Sequence, residues 1–235
     1  MCRRITIFEY DDLLGIVRAI EYRSPLNMKP DWPVQRTDAF PNDLVPLLVS
    51  ANAADEALEE EERIWNEEAL GGASFFSSAR LAPTRKRWGF ESADRTQVMF
   101  NTRIESAQER PLWKDSIEQR RCIVPVQAFY ETHATEQAVN PRTGRTAKQS
   151  YRFTAHEDLL LLAGIWKSDR FSIVTTAPNE SVAAVHDRMP LVLSVDHVHE
   201  WLEGDWQSVP HTNDIALAAR PLYTPQTTVE QPRLF

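Results

Sequence analysis

The chain has 235 residues and a formal net charge of −8, with 42% hydrophobic and 26% charged residues. That is enough to bury a core as one large domain or two small ones, in the composition of an ordinary globular protein. No apolar run approaches 18 residues, the N-terminus MCRRITIFEYDD has no apolar signal core, and two Cys make no disulfide framework. No apolar segment is long enough to span a membrane, no disulfide framework is expected, and a cytoplasmic location is expected. The negative charge speaks against a general polyanion binder. It is uneven, however. Asp55 to Glu68 is dense in carboxylates around a single Arg63, while Arg80, Arg85, Lys86 and Arg87 follow closely. Local basic patches can hold phosphate on an acidic protein.

In chain order, Ile5 to Phe8 reads as a strand. Asp11 and Asp12 then precede an amphipathic helix from Leu13 to Ile20. Arg23 to Pro46 is rich in Pro, which forbids a long helix there. Leu44 to Val49 reads as a strand. Ala53 to Leu70, ended by Gly71-Gly72, reads as a helix whose acidic run is a solvated face. Arg87 to Phe90 and Gln97 to Phe100 are predicted strands, and Pro111 to Gln119 a helix with Pro at its first position. Cys122 to Val126 is a predicted strand that continues extended through Phe129-Tyr130. Thr135 to Lys148 is polar, with Asn140-Pro141 and Thr143-Gly144 as turn signals, and reads as a hairpin loop. Tyr151 to Thr154, Leu159 to Trp166 and Phe171 to Thr176 follow as three strands of a meander. Asn179 to Val185 is a predicted short helix, Pro190 to Leu193 a strand, Val195 to Leu202 a helix and Ile215 to Ala218 a weak strand, with a polar tail from about residue 224. These elements describe one α+β domain over residues 1–235. Its core is a largely antiparallel sheet or barrel flanked by helices.

Chemistry can be read at four places. Removal of Met1 would expose Cys2 as an N-terminal aminothiol. Its amine and thiol sit on adjacent carbons and can close a five-membered thiazolidine on an aldehyde. An α-amine with a pKa of about 7.7–8.0 is partly neutral near physiological pH, and the ionised thiol is a strong nucleophile. In Phe100-Asn101-Thr102-Arg103-Ile104-Glu105, strand alternation puts Asn101, Arg103 and Glu105 on one face. That is either a self-satisfied polar cluster or a site. In Arg120 to Glu131, the apolar strand ends in a carboxylate that is either a solvated edge or a proton carrier with a raised pKa. Cys122 in the same segment reads as a core residue. In Val185 to Pro190, His186 stands beside Asp187 and Arg188 before a strand, and it titrates near neutrality. His197, His199 and His211 have no Cys partners at zinc-site spacing, and His197 and His199 fall in a predicted exposed helix. No metal or other cofactor is expected.

Taken together these segments resemble the SOS response-associated peptidase (SRAP) family, the abasic-site processing proteins. The resemblance rests on Met1-Cys2-x-Arg4, Arg87-Trp88-Gly89, Asn101-x-Arg103-x-Glu105, Arg120-Arg121-Cys122-Ile123-Val124-Pro125 with Phe129-Tyr130-Glu131, and His186-Asp187-Arg188-Met189-Pro190, in family order. It implies a catalytic set of Cys2, Asn101, Glu131 and His186, and DNA contacts at Arg4, Trp88, Arg103 and Arg188. The implied activity is covalent, lyase-like cross-linking to abasic sites in single-stranded DNA, as part of the SOS response to DNA damage, by a monomer that shields the lesion at stalled forks. In that reading Trp88 stacks on an exposed base and the arginines hold phosphates. The chain departs from the family pattern at Arg3 (usually Gly), Thr132 (usually Trp) and Ser106 (usually Thr), and Phe40-Pro41 stands in for an Asn-x-x-Pro segment. Two other readings stay open. One is a cysteine peptidase using Cys2 and His186, with removal of Met1 as its narrowest form. The other is a single-strand binder with no covalent chemistry.

Overall fold

The structure, a computed structural model, describes residues 2–22, 37–59, 62–64, 80–92, 94, 96–155, 158–209 and 214–223. The fold is built on apolar strands that are buried on both faces. β1 spans Ile5–Ile7, β2 Thr37–Ala39, β3 Leu44–Ser50, β4 Leu81–Trp88, β5 Phe90–Glu91, β6 Val98–Met99 and β7 Asn101–Arg103. β8 runs the nineteen residues Arg121–Val139, followed by β9 (Thr146–Thr154), β10 (Leu160–Lys167), β11 (Arg170–Thr176), β12 (Met189–Pro190), β13 (Val192–Leu193) and β14 (Ala218–Pro221). Twelve of these strands join one sheet among the described residues.

The sheet closes on itself. β3 pairs with β4 and β8, β4 with β11, and β11 with β10, which returns to β8 with Leu162 opposite Val124. The pairings are antiparallel except those of β11 with β4 and with β7. Closure removes the open edges that would otherwise invite aggregation. Alternate residues divide between two cores, as period-two geometry requires. Val45, Leu47, Val49, Cys122, Val124, Leu162 and Trp166 belong to one cluster, together with Cys2 and Trp88. Their neighbours Leu48, Ile123, Leu161, Ala163 and Ile165 join the other. That second core is completed by Leu13, Ile16, Val17 and Ile20 of helix α1 (Leu13–Tyr22), by Ile117 of α3 (Lys114–Gln119), and by Trp201 and Leu202 of α5 (Val198–Glu203). Two more short helices, α2 (Ala54–Ala57) and α4 (Glu180–Ala183), connect strands. The α+β architecture and the largely antiparallel closed sheet match the sequence expectation.

Several local expectations change. The helix expected from Ala53 to Leu70 is broken after Ala57, because Leu58 is extended (φ −98°, ψ 140°) and packs into the core with Ala57; helix recurs at residues 62–64. Residues 65–70 lie outside the described set, as do residues 23–36 of the Pro-rich segment and the tail from 224. The acidic run is not wholly a solvated face. Glu62 is buried, accepting hydrogen bonds from Thr84 Oγ1 (2.6 Å) and the Arg85 N–H (2.8 Å). Pro111 precedes α3 by a loop and is not its first residue. The polar hairpin is mostly strand: β8 and β9 stay paired to Val139 and Thr146, and only the Asn140–Arg145 turn separates them. β9 pairs with β8 and β14 and not with β10, so the expected three-strand meander reduces to the β10–β11 hairpin. Gly89 is required where β4 ends. Its φ is +108°, and a Cβ there would stand 2.2 Å from Val98 Cγ1.

Arg121 ties the helical layer to the barrel. It is buried and donates to the carbonyls of Ile117 (2.8 Å), Glu118 (2.6 Å) and Leu202 (3.1 Å), and also to that of Trp201. It thus satisfies C-terminal carbonyls of both α3 and α5. Arg121→Met should lower unfolding stability by about 3 kcal/mol or more, since charged hydrogen bonds are lost and buried acceptors are left unpaired. A loss of under roughly 1 kcal/mol in urea unfolding, at unchanged m-value, would contradict that role.

Candidate functional site

The pairing of β1 with β8 builds the site. Ile5 lies opposite Phe129, and the Tyr130 N–H donates to the Arg4 carbonyl at 3.1 Å. This carries the residues before β1 alongside the end of β8 that bears Glu131. Cys2 is fully buried there. Its thiol lies 3.5 Å from the Arg4 carbonyl, and its own carbonyl accepts from Asn101 Nδ2 at 2.9 Å. Asn101 is delivered by β7, which runs parallel to β11 with Asn101 opposite Ile173. Its Oδ1 is buried with no hydrogen-bond partner among the described residues, so the amide keeps an acceptor in reserve beside Cys2.

Glu131 is 3% exposed. Burial pushes its carboxyl up to about 7, with the charge of the N-terminal amine pulling the other way. Burial, reinforced by the Glu131 charge, pushes the Cys2 thiol up to about 12. His186 follows α4 in the loop before β12, and its Nε2 lies 3.8 Å from Glu131 Oε2. On its other edge, Nδ1 is 3.0 Å from the Arg188 N–H and 3.1 Å from the Arg188 carbonyl. When Nδ1 accepts from that N–H, the neutral ring carries its proton on Nε2, facing Glu131. Burial and the N-terminal charge hold the imidazole below its usual range, which favours this neutral form. Cys2, Asn101, Glu131 and His186 therefore meet, although they come from four different segments.

The expected DNA contacts behave differently from one another. Arg103 is exposed and lines a hollow of about 210 Å³ with Phe100, Asn101, Arg110 and Trp113. Arg4 is held by Asp38 at 2.6 Å and lies over the Tyr130 ring, 4.1 Å from its centroid. Arg3, Arg4, Phe40, Pro41, Asn42, Val98 and Phe100 line a groove of about 660 Å³. Arg3 lies over the Phe100 ring at 5.6 Å, and Phe40 is 49% exposed. Trp88 corrects the stacking expectation. It is 0% exposed, stacked on Phe171, and its indole N–H donates to the Phe100 carbonyl at 2.8 Å. No base can reach it; it fixes the backbone that precedes Asn101. Arg188 also departs from a free phosphate contact. Its guanidinium grips both Glu105 oxygens (2.6 and 2.8 Å) and the Thr175 carbonyl (2.7 Å). The alternation expected of Asn101, Arg103 and Glu105 breaks, because the strand ends at Arg103 and Glu105 lies in a 3-10 turn. Glu105 was thus missed as the partner of Arg188. Its only sequence signal is its place two residues after Arg103, which does not reveal a partner 83 positions away.

Comparison with known proteins bears on this arrangement. The SOS response associated peptidase (SRAP) family profile matches residues 1–229. Over 113 residues the chain is 32% identical to the abasic site processing protein YoaM of Bacillus subtilis (strain 168), covering 44% of this chain and 47% of that protein. It is 30% identical over the same length to the abasic site processing protein YoqW of the same organism, with the same coverage. The matches thus span about half the length of these relatives. A phage-related protein from Bordetella bronchiseptica superposes with a TM-score of 0.54 at 22% identity, over 95% of each chain, and shares the fold. No helix among the described residues is long and apolar enough to cross a membrane.

Glu131 gives the site a stability signature. Its folded pKa, about 7, stands above the ordinary value of 4.5. The neutral carboxyl is the form the fold favours. Its contribution is fully present below pH 4.5 and is lost as pH rises through about 7. Glu131→Gln should therefore gain stability over wild type between those limits, by an amount on the order of 3 kcal/mol. Urea unfolding of both proteins at the two ends of that window checks this; parallel stabilities would contradict it.

Proposed function

The chain belongs to the SOS response associated peptidase (SRAP) family, and we propose that it captures abasic sites in single-stranded DNA through an N-terminal Cys2. One observation carries the reading. Cys2 is buried beside a carboxyl poised near neutrality and is held by Asn101, with a neutral imidazole on the far side of that carboxyl. Removal of Met1 would make the Cys2 nitrogen a free amine in this environment.

In the proposed sequence the ionised Glu131 takes a proton from the Cys2 ammonium. The amine attacks C1′ of the ring-opened sugar aldehyde, forming a C–N bond and a carbinolamine. Protonated Glu131 returns its proton to the departing hydroxyl, and water leaves an iminium. The thiol adds to the iminium carbon, its proton passing to Glu131, and the thiazolidine closes with the net loss of one water. His186, through its Nε2–H, donates to the sugar ring oxygen and favours opening to the aldehyde. The spare Oδ1 of Asn101 accepts from the Cys2 amine and holds it for attack. Keeping amine, thiol and aldehyde together replaces a bimolecular encounter, an effect worth up to about 7–11 kcal/mol. Arg103, which is exposed, holds phosphate and is blind to sequence. One copy of the chain supplies every group, and the products need no cofactor.

The family description favours a second reading, a cysteine peptidase. That chemistry needs a thiolate activated by a base. A thiol raised to about 12 by burial and by Glu131 is poorly suited to it. In the cross-linking route the thiol acts last, on a reactive iminium, and loses its proton during addition. The same buried environment is compatible with that step.

Denaturing gels of protein with abasic single-stranded oligonucleotide test the proposal. Wild type should give a heat-stable adduct that resists borohydride. Cys2→Ala, which keeps only the amine, should give a reversible imine and more strand nicking. Glu131→Gln should slow adduct formation by about 10²–10⁴-fold. The wild-type rate should rise with pH through about 7, as Glu131 ionises. Equal heat-stable adduct from wild type and Cys2→Ala would defeat the reading.

A further inference from the structure

Two of the arginines expected on DNA are already committed, Arg4 to Asp38 and Arg188 to Glu105. Arg3 and Arg110 differ. Both are exposed, and neither guanidinium has a carboxylate or hydrogen-bond partner among the described residues. Each instead lies over an aromatic ring, Arg3 over Phe100 (5.6 Å to the centroid) and Arg110 over Trp113 (5.3 Å). Such a contact holds the cation in place and leaves its fork of N–H donors without an acceptor. Both arginines are joined to the Cys2 site by contacts. The hollow of about 210 Å³ that Arg110 lines with Arg103 is also lined by Asn101, whose amide donates to the Cys2 carbonyl. Phe100, under Arg3, packs against the core cluster that contains Cys2. The groove of about 660 Å³ that Arg3 lines shares Val98 and Phe100 with the hollow, so the two adjoin.

No carboxylate lines either cavity, on a chain with 34 Asp and Glu residues. The hollow around Lys86, by contrast, is lined by Glu59, Glu62 and Asp169, and that around Arg170 by Glu91 and Asp169. Adjoining clefts that carry one sign of charge concentrate an anion. Phe40 indicates which anion. It is exposed in the Arg3 groove, on a turn pinned to β4 where the Asn42 N–H donates to the Trp88 carbonyl (2.8 Å) and the Trp88 N–H to that of Asp43 (2.9 Å). An exposed ring fixed beside a cation suits a base next to its phosphate, which an acidic peptide does not offer. We propose that Arg3 and Arg110 clasp the single strand, holding the phosphates on the two sides of the abasic nucleotide where the strand crosses Phe100, in place of Arg4 and Arg188. Arg110 shares its phosphate with Arg103. Arg3 stands where the family usually has Gly, so that half of the clasp is particular to this chain. The clasp rests on DNA being the substrate, as proposed above.

Fluorescence anisotropy of the full-length protein tests this, with a single strand carrying a tetrahydrofuran abasic analogue that binds but cannot cross-link. Arg3→Gln/Arg110→Gln should bind about tenfold more weakly than wild type at low salt. Its slope of log K against log salt should be shallower by about 1.4, at about 0.7 for each lost contact. Its melting temperature should be unchanged, as is usual for exposed residues without partners. A charge-matched control, Arg142→Gln/Lys148→Gln in the exposed β8–β9 hairpin, should keep wild-type affinity and slope. Replacing the two phosphates that flank the analogue by neutral methylphosphonates should cost wild type several-fold more affinity than it costs the double variant. An equal cost to both proteins overturns the clasp, and so does an unchanged salt slope. An equal loss in the control would make the effect one of net charge and overturn it too. Polyglutamate that binds wild type as tightly as the strand does, and the variant as weakly, would give the pair to an acidic protein instead. Absence of a heat-stable adduct between wild type and a true abasic strand contradicts the proposed function and not the clasp, since the analogue reads binding alone.

Discussion

The antiparallel pairing of β1 with β8 is the constraint on which the site depends. Three residues of β1 are stapled between β2 and β8, and the register Ile5–Phe129 decides where the chain terminus goes. Slipping by one residue would turn every side chain to the other face. Cys2 would then leave the neighbourhood of Glu131 and of the Asn101 amide. Ile5 is fully buried and Ile7 nearly so, which makes such a slip costly. An N-terminal segment is ordinarily free to fray. Here the first strand is inside the sheet, and that fixes the position of Cys2.

Burial then acts on three groups in different directions. It raises the Glu131 carboxyl towards neutrality, raises the Cys2 thiol, and lowers the His186 imidazole. The outcome is a set of mostly neutral groups in which Glu131 titrates near pH 7. Such a site suits the making and unmaking of an iminium better than it suits a thiolate attack. Around it, Trp88 locks the Phe100 carbonyl and Arg188 is clamped by Glu105, while the Arg188 N–H lies 3.0 Å from His186 Nδ1. Two residues that the sequence suggests as DNA contacts are, in this fold, supports for the Asn101 and His186 segments.

The strands were largely legible because both faces are buried. Leu44 to Val49, Cys122 to Val126 and Leu159 to Trp166 are continuous apolar runs; the first and last match barrel strands to within a residue, and Cys122 to Val126 is the start of the much longer β8. The helix expected over Ala53 to Leu70 is interrupted at Leu58, where burial outweighs the preference of Ala and Glu for helix. Polarity misled over Thr135 to Lys148, since an exposed two-stranded ribbon needs few apolar residues. The meeting of Cys2, Asn101, Glu131 and His186 could be anticipated only through family resemblance, because contacts across 99 positions leave no local signature. The burial of Trp88 and the Glu105–Arg188 clamp were not legible at all, being products of strand register and not of local pattern.

The central claim is that the Cys2 nitrogen and sulfur both bond to one sugar carbon. Mass spectrometry of the cross-linked N-terminal peptide, after nuclease and protease digestion, tests it most directly. The account predicts a peptide that begins at Cys2 and carries the sugar remnant with the loss of one water. Its thiol should be blocked to alkylation and its amine to acylation. An adduct on a lysine, a retained Met1 on the linked peptide, or a free alkylatable Cys2 thiol within the adduct would contradict it.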